Sequence, residues 1–424
     1  MAAARAELIG GPHGRVDEAS LDAFVARHVA AAGLDGQRVV LLVPDGTRSM
    51  PLPLVMRSLH RHLAGRVASL TAVIALGTHS YMPPAAVDRL FGVPPGGLAD
   101  AYPGLEVVNH EWADPGQLTV VGTLSADDLD RLSEGRVRQA VAVEVNRRVA
   151  EADVALVVGP VFPHEVVGFS GGNKYFIPGV ASHEIIDLSH WVGALIGIED
   201  VIGRRGVTPV RAIFDAAAAL IPARRLALCL VVASGSGDIE AASFGTPEPA
   251  WALAADVAAE THITYLDAPV RRLLAVMPTR YDDIWTAAKG CYKAQPAMAD
   301  GGEVVVYAPH IAELSQTHPE IYEVGYHSMD YFLKQWDRFA GYPLGVLSHS
   351  THLRGTGTFD PATGVESNRI QVTLATAIPP DVCAQANLGY ADPAAIDLDA
   401  WRADPDVFVV DNAGETLFRL RDRA

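Results

Sequence analysis

Short runs of Val, Leu and Ile, each followed by a stretch of helical character, most limit the folds open to this chain. Residues 38–43 and 70–76 are two such runs, and helices are predicted after them at 51–63 and 83–91. Further strands are predicted at 105–108, 153–158 and 226–232. Because these runs are continuous and do not alternate with polar residues, they indicate a parallel sheet covered by helices on both faces.

A second series of the same kind begins near Leu273. Strands are predicted at 273–277, 303–308 and 344–347, with helical character at 322–339. A chain of 424 residues also exceeds what one hydrophobic core usually serves. We therefore predict an α/β protein with two Rossmann-like parallel-sheet domains, residues 1–268 and 269–399, and an interdomain cleft. Residues 407–420 are predicted as a strand and a short helix, and a return of residues 400–424 to the first domain is compatible with this division.

The composition excludes several classes of protein. Hydrophobic residues make up 49% and charged residues 20%, which is the balance of a packed globular protein and not of a disordered one. A net charge of −17 argues against nucleic acid and anionic membrane surfaces as partners, because both require a basic face. It leaves room for an anionic small substrate, since a few cations dominate the field inside a cleft.

The chain carries only three cysteines, none in CxxC spacing, and no uninterrupted apolar run of about 18 residues. A disulfide framework, a zinc–thiolate site and a membrane span are therefore not expected, and a cytoplasmic location is. A homo-oligomer is compatible with the sequence.

Two short polar segments follow predicted strands of the first domain. The first is Asp45-Gly46-Thr47-Arg48, and the second ends at His79. Ligands of doubly wound sheets lie outside the carboxyl ends of the strands, so both segments are candidates for one crevice. Arginine can grip a carboxylate or phosphate bidentately. Taken alone, each segment is also typical of an ordinary strand–turn–helix connection, with Asp45 as a turn residue and His79 bonded to the backbone.

A third segment is more specific. It runs from His164 through the glycine-rich turn Ser170-Gly171-Gly172-Asn173-Lys174, and a helix predicted at 182–196 follows. Two consecutive glycines can adopt positive φ and present N–H groups to a ligand. His183 and His190 lie seven residues apart on that helix, about 10.5 Å along its axis, so they cannot share one metal ion. A metal ion would therefore be bound by one histidine of this helix and by ligands from elsewhere.

In the second domain, Thr286 and Lys289 lie on the helix predicted after strand 273–277. Most lysine residues on helices lie at the protein surface.

Together these motifs resemble the nickel-pincer lactate racemase family over essentially the full length of the chain. The resemblance implies a covalently bound nickel-pincer nucleotide, the Ni(II) complex of pyridinium-3,5-bisthiocarboxylic acid mononucleotide. Carried over, Lys174 is the residue that binds this cofactor covalently and His190 is the nickel ligand. The remaining roles implied are cofactor contacts by Asp45, Gly46, Thr47 and Arg48, paired acid/base catalysis by His79 and His164, and a grip on the substrate carboxylate by Arg48 and Lys289.

The implied reaction is racemisation or epimerisation at C2 of a 2-hydroxy acid. The C–H bond at C2 is a poor acid, whereas hydride removal gives a planar 2-keto acid that can be reduced from either face. Histidine suits the accompanying proton transfers because its unperturbed pKa of about 6.5 is near the working pH. The protein is then an isomerase whose partner is a small 2-hydroxy acid.

One departure from the family pattern bears on the substrate. The lactate pattern has a Tyr-Gln pair shortly before the substrate lysine, whereas this chain has Trp285-Thr286. Threonine is shorter than glutamine and lacks its amide, so Thr286 predicts an altered substrate pocket. Malate or a sugar acid becomes a better expectation than lactate.

Two other functions compete with this one. A non-catalytic binding protein for an acidic or phosphorylated metabolite would use the same cleft, with the histidines as hydrogen-bond donors. A mononuclear metal hydrolase using His164 and His190 is disfavoured, because no carboxylate–histidine ligand set appears at helix spacing.

Overall fold

A computed structural model describes residues 6–421 and divides the chain into two compact units. Unit 1 comprises residues 6–162, 169–186 and 205–261, and unit 2 comprises residues 163–168, 187–204 and 262–421. The division after Thr261 lies a few residues before the predicted boundary at 268/269. Two short segments that the prediction placed in the first domain, 163–168 and 187–204, belong to unit 2.

The strands of residues 6–262 are β1 (Glu7–Gly10), β2 (Arg38–Val43), β3 (Ser69–Ile74), β4 (Leu105–Asn109), β5 (Leu118–Leu124), β6 (Val141–Asn146), β7 (Val154–Pro160), β8 (Pro163–His164), β9 (Gly168–Phe169), β10 (Arg224–Val232) and β11 (Ile239–Gly245). The helices are α1 (Glu18–Ala32), α2 (Leu52–Leu63), α3 (Pro84–Leu90), α4 (Leu98–Ala101), α5 (Ala126–Leu132), α6 (Arg147–Ala150), α7 (His183–Ile196), α8 (Ile198–Val201), α9 (Pro209–Ala218) and α10 (Pro247–His262). Short 3₁₀ helices lie at Pro115–Gln117 and Gly172–Tyr175.

Unit 1 is built on a seven-stranded sheet in the order β1-β11-β10-β7-β2-β3-β4. The five strands from β10 to β4 are parallel, and β11 and β1 add antiparallel pairs at one edge. The chain runs from β2 outward through β3 to β4, then returns to place β7 on the other side of β2. The strand order therefore reverses between β2 and β7, which is where ligands of doubly wound sheets bind.

The helices of unit 1 bury the apolar stripe that the sequence assigns to them. Helix α1 begins at the N-cap Asp17, whose carboxylate accepts a hydrogen bond from the Ser20 N–H at 2.7 Å, and ends at Gly33 with φ of 61°. Such caps satisfy backbone groups that the helix itself leaves unpaired. Side chains of α1 and α2 pack against the sheet in one hydrophobic core, formed in part by Leu21, Phe24, Val25, Val55, Leu59, Leu41 and Leu156.

The strands of residues 263–421 are β12 (Ile263–Leu266), β13 (Val270–Val276), β14 (Met298–Ala308), β15 (Gly357–Asp360), β16 (Val365–Asn368), β17 (Gln371–Thr376), β18 (Gly389–Tyr390), β19 (Phe408–Val410) and β20 (Leu417–Leu420). The helices are α11 (Ile284–Ala287), α12 (Lys289–Tyr292), α13 (Ile321–Val324), α14 (Met329–Leu333), α15 (Trp336–Phe339), α16 (Leu344–Arg354), α17 (Pro380–Gln385) and α18 (Leu398–Ala403), with 3₁₀ helices at Gln295–Ala297 and Pro393–Ala395.

Unit 2 carries a five-stranded, fully parallel sheet in the order β18-β17-β14-β13-β19. The prediction of an α/β protein with parallel sheets is confirmed. The C-terminal segment groups with unit 2 and not with the first domain, because β19 pairs with β13 and β20 pairs with β12.

Two local predictions in this half of the chain are wrong. Residues 344–347 begin helix α16 and form no strand, and their apolar run continues into buried helical residues from Ser348 to Leu353. An isolated apolar run of four residues does not distinguish a strand from a buried helix. Near the C-terminus, the segment predicted as a short helix is strand β20, where pairing with β12 outweighs local propensity.

No helix within residues 6–421 combines the length and apolarity that crossing a membrane requires.

Substitution of Leu156 tests how much packing at the centre of the unit 1 sheet contributes to stability, since Leu156 lies fully buried in β7 between β10 and β2. We expect Leu156→Ala to lower the free energy of unfolding by about 2–5 kcal/mol, because it leaves a cavity between packed layers. Urea unfolding followed by circular dichroism measures the change. Val120→Ala, at a side chain 56% exposed on β5, is the control and should change stability by about 0.5 kcal/mol or less.

Candidate active site

The predicted site residues of unit 1 follow the carboxyl ends of adjacent strands. Asp45, Gly46, Thr47 and Arg48 come after β2, and His79 comes after β3. Lys174 lies in the 3₁₀ turn that follows β7 and β9. Since β7, β2 and β3 are neighbours in the sheet, all three segments lie at the edge where the strand order reverses.

A buried carboxylate organises this edge. The Asp45 side chain is 6% exposed, and its Oδ2 lies 2.5 Å from His79 Nδ1. Its Oδ1 accepts hydrogen bonds from the Thr47 backbone N–H at 3.1 Å and the Thr47 hydroxyl at 2.5 Å. Burial alone would raise the pKa of Asp45, but the His79 imidazole, Arg48 and the Thr47 hydrogen bonds outweigh it and hold that pKa well below its usual value. Asp45 is therefore a carboxylate at neutral pH.

The same contact orients His79. With Nδ1–H donating to Asp45, the neutral imidazole presents Nε2 as a lone pair, and this tautomer follows from the hydrogen-bond network. The backbone also fixes the residue, because Trp112 Nε1 donates to the His79 carbonyl at 3.0 Å. His79 is thus held by Asp45 through its side chain and is not a turn histidine bonded only to the main chain.

Arg48 lies beside this pair. Its guanidinium is 5.4 Å from the centroid of the Phe162 ring. Within residues 6–421 it forms no salt bridge with a carboxylate, although Asp45 acts on it electrostatically. Because the Asp45 oxygens already bond Thr47 and His79, the Arg48 charge is available to an anionic ligand.

The glycine-rich turn before Lys174 is fixed by packing. Gly171 and Gly172 have φ of 81° and 56°, and a Cβ at these positions would lie 2.5 Å from Val161 Cγ2 and 2.8 Å from Trp251 Cβ. The Gly172 backbone N–H lowers the pKa of the buried Cys229 thiol and so lies near it, and the presentation of N–H groups to a ligand by these glycines stays a prediction. These glycines serve close packing of the turn.

Arg211, which sequence reasoning missed, clamps that turn. Its guanidinium is buried, donates to the carbonyls of Gly171 at 3.1 Å and Phe169 at 2.5 Å, and stacks 4.1 Å from the centroid of Trp251. Trp251 Nε1 in turn donates to the Ser170 carbonyl at 2.9 Å. Burial lowers the pKa of Arg211 to about 10, so it still carries its charge at neutral pH. The conformation that presents Lys174 is therefore held by a buried cation.

In unit 2, His164 shows the opposite tautomer from His79. It is buried, and its Nδ1 accepts a hydrogen bond from the Val166 backbone N–H at 3.2 Å. The neutral ring therefore carries its proton on Nε2. The Glu165 carboxylate lies 3.6 Å from Nδ1 and supplies a countercharge to the protonated ring.

His190 lies on α7 and is partly exposed, while His183 on the same helix is exposed. No group of three or more His, Cys, Asp or Glu side chains in the described part of the chain is placed to hold a metal ion. His190 thus offers one imidazole donor and not a complete protein ligand set.

Lys289 and Thr286 lie together in unit 2, and their side chains bond to different groups. Lys289 is 6% exposed, and its Nζ donates to the Thr286 carbonyl at 3.2 Å. The Thr286 hydroxyl donates to Asp283 Oδ1 at 2.7 Å, within the N-cap of α11. The hydroxyl proton of Thr286 is therefore already engaged by Asp283, the N-cap residue of α11. This contact is not among the sequence-based predictions, which place Thr286 in the substrate pocket.

Trp285, next to Thr286, is fixed by a stack of three rings. Its centroid lies 4.0 Å from that of His318 and 3.9 Å from that of His349, with interplanar angles of 29° and 25°. Two imidazoles at this spacing do not fit side by side over one indole, so they cover its opposite faces. His349 is held by hydrogen bonds with the Tyr292 and Tyr326 hydroxyls at 2.8 and 3.3 Å. Burial holds the pKa of His349 well below its usual value, and the nearby His352, His318, Lys289 and His190 add to this.

The predicted site residues are distributed over both units. Unit 1 carries Asp45, Gly46, Thr47, Arg48, His79 and Lys174, and unit 2 carries His164, His190, Thr286 and Lys289. Arg211, Asp283 and His349 had no motif to single them out. The Thr208-Pro209 helix start before Arg211 is a local signal for α9, but it does not reveal that the arginine is buried.

Comparisons with known proteins give the chain its relatives. A family model described as the lactate racemase N-terminal domain matches residues 16–199. Lactate racemase of Thermoanaerobacterium thermosaccharolyticum is 25% identical over 280 residues, 64% of this chain and 60% of that protein. Lactate racemase of Lactiplantibacillus plantarum is 28% identical over 154 residues, 36% of this chain and 32% of that protein. The matched segments thus span less than two thirds of the length of either curated relative.

Solved structures match over more of the chain. A protein from Thermotoga maritima is 32% identical, with a TM-score of 0.88 over 97% of this chain and 100% of that one. The lactate racemase apoprotein from Thermoanaerobacterium thermosaccharolyticum is 18% identical, with a TM-score of 0.70 over 97% and 100%, and at that identity shows a shared fold. The family model and the two named relatives agree, and the chain belongs to the lactate racemase family.

Proposed function

We propose that this protein is a racemase or epimerase that inverts C2 of a 2-hydroxy acid by hydride transfer, using a covalently bound nickel-pincer nucleotide. The observation that carries the proposal is the Asp45–His79 pair beside an arginine without a carboxylate partner among residues 6–421. It combines an oriented base with a free cation, which are the two groups that a 2-hydroxy acid requires.

The donor chemistry of the chain suits a cofactor that brings most of its own metal ligands. His190 supplies one imidazole, and no cluster of three donors among residues 6–421 would hold a bare ion. Lys174 follows the clamped glycine turn and is the amine for covalent attachment. Asp45, Gly46, Thr47 and Arg48 would contact the nucleotide. When bound, the cofactor supplies the centre that accepts hydride from C2 and returns it.

The two histidines then transfer the hydroxyl proton. Their neutral rings carry the ring proton on different nitrogens, Nδ1 in His79 and Nε2 in His164. Neutral His79 presents a lone pair at Nε2 and takes the proton, while Asp45 stabilises the imidazolium that forms. Neutral His164 presents an N–H at Nε2 and donates a hydrogen bond to the oxygen. Inversion balances when one ring takes a proton and the other gives one up: His79 takes the hydroxyl proton at Nε2, and His164, as the imidazolium that Glu165 at 3.6 Å would stabilise, gives its Nε2 proton to the keto oxygen, with the roles exchanged in the reverse turnover.

Substrate binding is assigned to Arg48 and Lys289, which would hold the C1 carboxylate. Lys289 is oriented by the Thr286 carbonyl at 3.2 Å. Because the Thr286 hydroxyl is engaged by Asp283 and Trp285 is covered on both faces, this corner of unit 2 lacks the amide that the lactate pattern places there. The proposed substrate is therefore a larger 2-hydroxy acid than lactate, such as malate or a sugar acid.

His79→Ala and His164→Ala test the acid/base assignment. In cofactor-loaded protein we expect each change to lower kcat by a factor of about 10²–10⁴, with the cofactor still attached, because only the proton transfer loses its catalyst. Chiral chromatography of a panel of 2-hydroxy acids measures turnover, and visible absorption measures cofactor content. His183→Ala, at an exposed position of α7, is the control. Normal racemisation by both variants would contradict the assignment.

Asp45→Asn tests the orienting role of the carboxylate. The change keeps the shape but removes the charge that stabilises protonated His79, so we expect kcat to fall more than 10-fold while the substrate KM changes little. Steady-state kinetics separate the two parameters. A variant with unchanged kcat would show that the 2.5 Å contact is structural only.

Lys174→Ala tests the attachment point. We expect loss of the covalent cofactor adduct, since no other amine occupies the 3₁₀ turn at Gly172–Tyr175. Intact-protein mass spectrometry measures the adduct, with the exposed Lys334→Ala as the matched control. The same mass increment on both variants would refute the assignment, and a colourless wild-type protein after loading would favour the non-catalytic binding function.

A further inference from the structure

The phenol ring of Tyr175 lies across the end of strand β7. A Cβ atom added to Gly159 would be 1.9 Å from the Tyr175 hydroxyl oxygen and 2.2 Å from Cζ. The ring therefore occupies the space that any side chain at position 159 would fill. Because β7 and β2 are the strands between which the order reverses, this places the hydroxyl at the ligand-binding edge of unit 1.

The Tyr175 hydroxyl has no hydrogen-bond partner within residues 6–421, although the side chain is only 9% exposed. The hydroxyl oxygen is not among the fully enclosed unpaired polar atoms of the described chain, so it stays accessible to water or to a ligand. Burial raises the pKa of Tyr175 well above its usual value, and the nearby Arg48 only partly offsets this. The phenol is therefore a neutral donor.

The charges around this hydroxyl favour an anion. Arg48 and Asp45 both act electrostatically on Tyr175, and the Asp45 carboxylate is already bonded by Thr47 and His79. Cys229, the other group that acts on the phenol, is neutral, because burial raises its pKa to about 12. The guanidinium of Arg48 is thus the positive group that acts on Tyr175, and it forms no salt bridge with a carboxylate within residues 6–421, although Asp45 acts on it electrostatically.

We propose that the Tyr175 hydroxyl and the Arg48 guanidinium form a subsite for one oxyanion, a phosphate or a carboxylate, between the ends of β2 and β7. Tyr175 donates a neutral hydrogen bond and Arg48 supplies the charge, while Gly159 leaves the space that the phenol needs. This inference rests on the proposed function for its two sources of oxyanion, which are the phosphate of the nucleotide and the C1 carboxylate of the hydroxy acid.

Tyr175→Phe tests the subsite in the cofactor-free protein, since it removes one oxygen and keeps the ring over Gly159. Isothermal titration with inorganic phosphate, nicotinic acid mononucleotide and malate provides the readout without turnover. We expect about 10-fold or greater weakening for at least one probe, the usual effect of losing a hydrogen bond to a charged group. Tyr102→Phe is the matched control, a buried tyrosine of unit 1 whose hydroxyl bonds the Phe91 carbonyl at 3.4 Å.

The pattern across probes identifies the source of the oxyanion. Loss confined to phosphate and the mononucleotide assigns the nucleotide phosphate, and loss confined to malate assigns the substrate carboxylate. Arg48→Met should weaken the same probe, and the double variant should lose less than the sum of the single losses in binding free energy, because both groups bind one anion. The effect of Tyr175→Phe on affinity is measured both in the wild-type background and in the Arg48→Met background. A loss of folding caused by Tyr175→Phe would weaken binding in both backgrounds alike.

Two results would overturn the subsite. One is unchanged affinity of Tyr175→Phe for every probe that the wild-type protein binds, and the other is a wild-type protein that binds none of them. Neither result affects the two-histidine mechanism, which the turnover of the His79 and His164 variants tests separately.

Discussion

The hydrogen bond between the buried Asp45 carboxylate and His79 is the interaction on which the unit 1 site depends. One carboxylate oxygen fixes the tautomer of the imidazole, and the other fixes the loop through the Thr47 hydroxyl and N–H. A carboxylate buried this deeply is costly without such partners. Its bonds also leave Arg48 without a carboxylate partner in the described chain, so one residue determines both the base and the available cation.

A buried cation has a corresponding role beneath Lys174. Arg211 loses its hydration on burial, a penalty of several kcal/mol for an ion in a protein interior, and hydrogen bonds to two carbonyls and the Trp251 face offset that penalty. Asp215 and Glu248 add favourable charges around it, and both accept hydrogen bonds from Asn173 in the same turn. These contacts fix the conformation of the turn that contains Lys174.

Unit 2 supplies a different kind of rigidity. Its histidines are held by aromatic stacking and by tyrosine hydroxyls, and burial keeps His349 neutral despite the basic groups near it. A neutral His349 avoids placing another positive charge beside Lys289 and His190. The difference between this chain and the lactate pattern consequently lies in an indole locked between two imidazoles, and not in a free threonine hydroxyl that replaces an amide.

The sequence by itself determined the sheets and the residue types of the site. Continuous apolar runs at β2, β3, β7, β10 and β13 identified buried parallel strands, and polar residues directly after them identified the edge that could bind a ligand. What it could not decide depended on contacts between residues far apart in the chain. Residues 344–347 are helical because of their packing, β20 is a strand because β12 pairs with it, and Gly172 lies beside Cys229. Only the tertiary structure could show that Arg211 is buried and that Tyr175 lies over Gly159, since these contacts between distant residues are set by the packed fold and leave no local pattern.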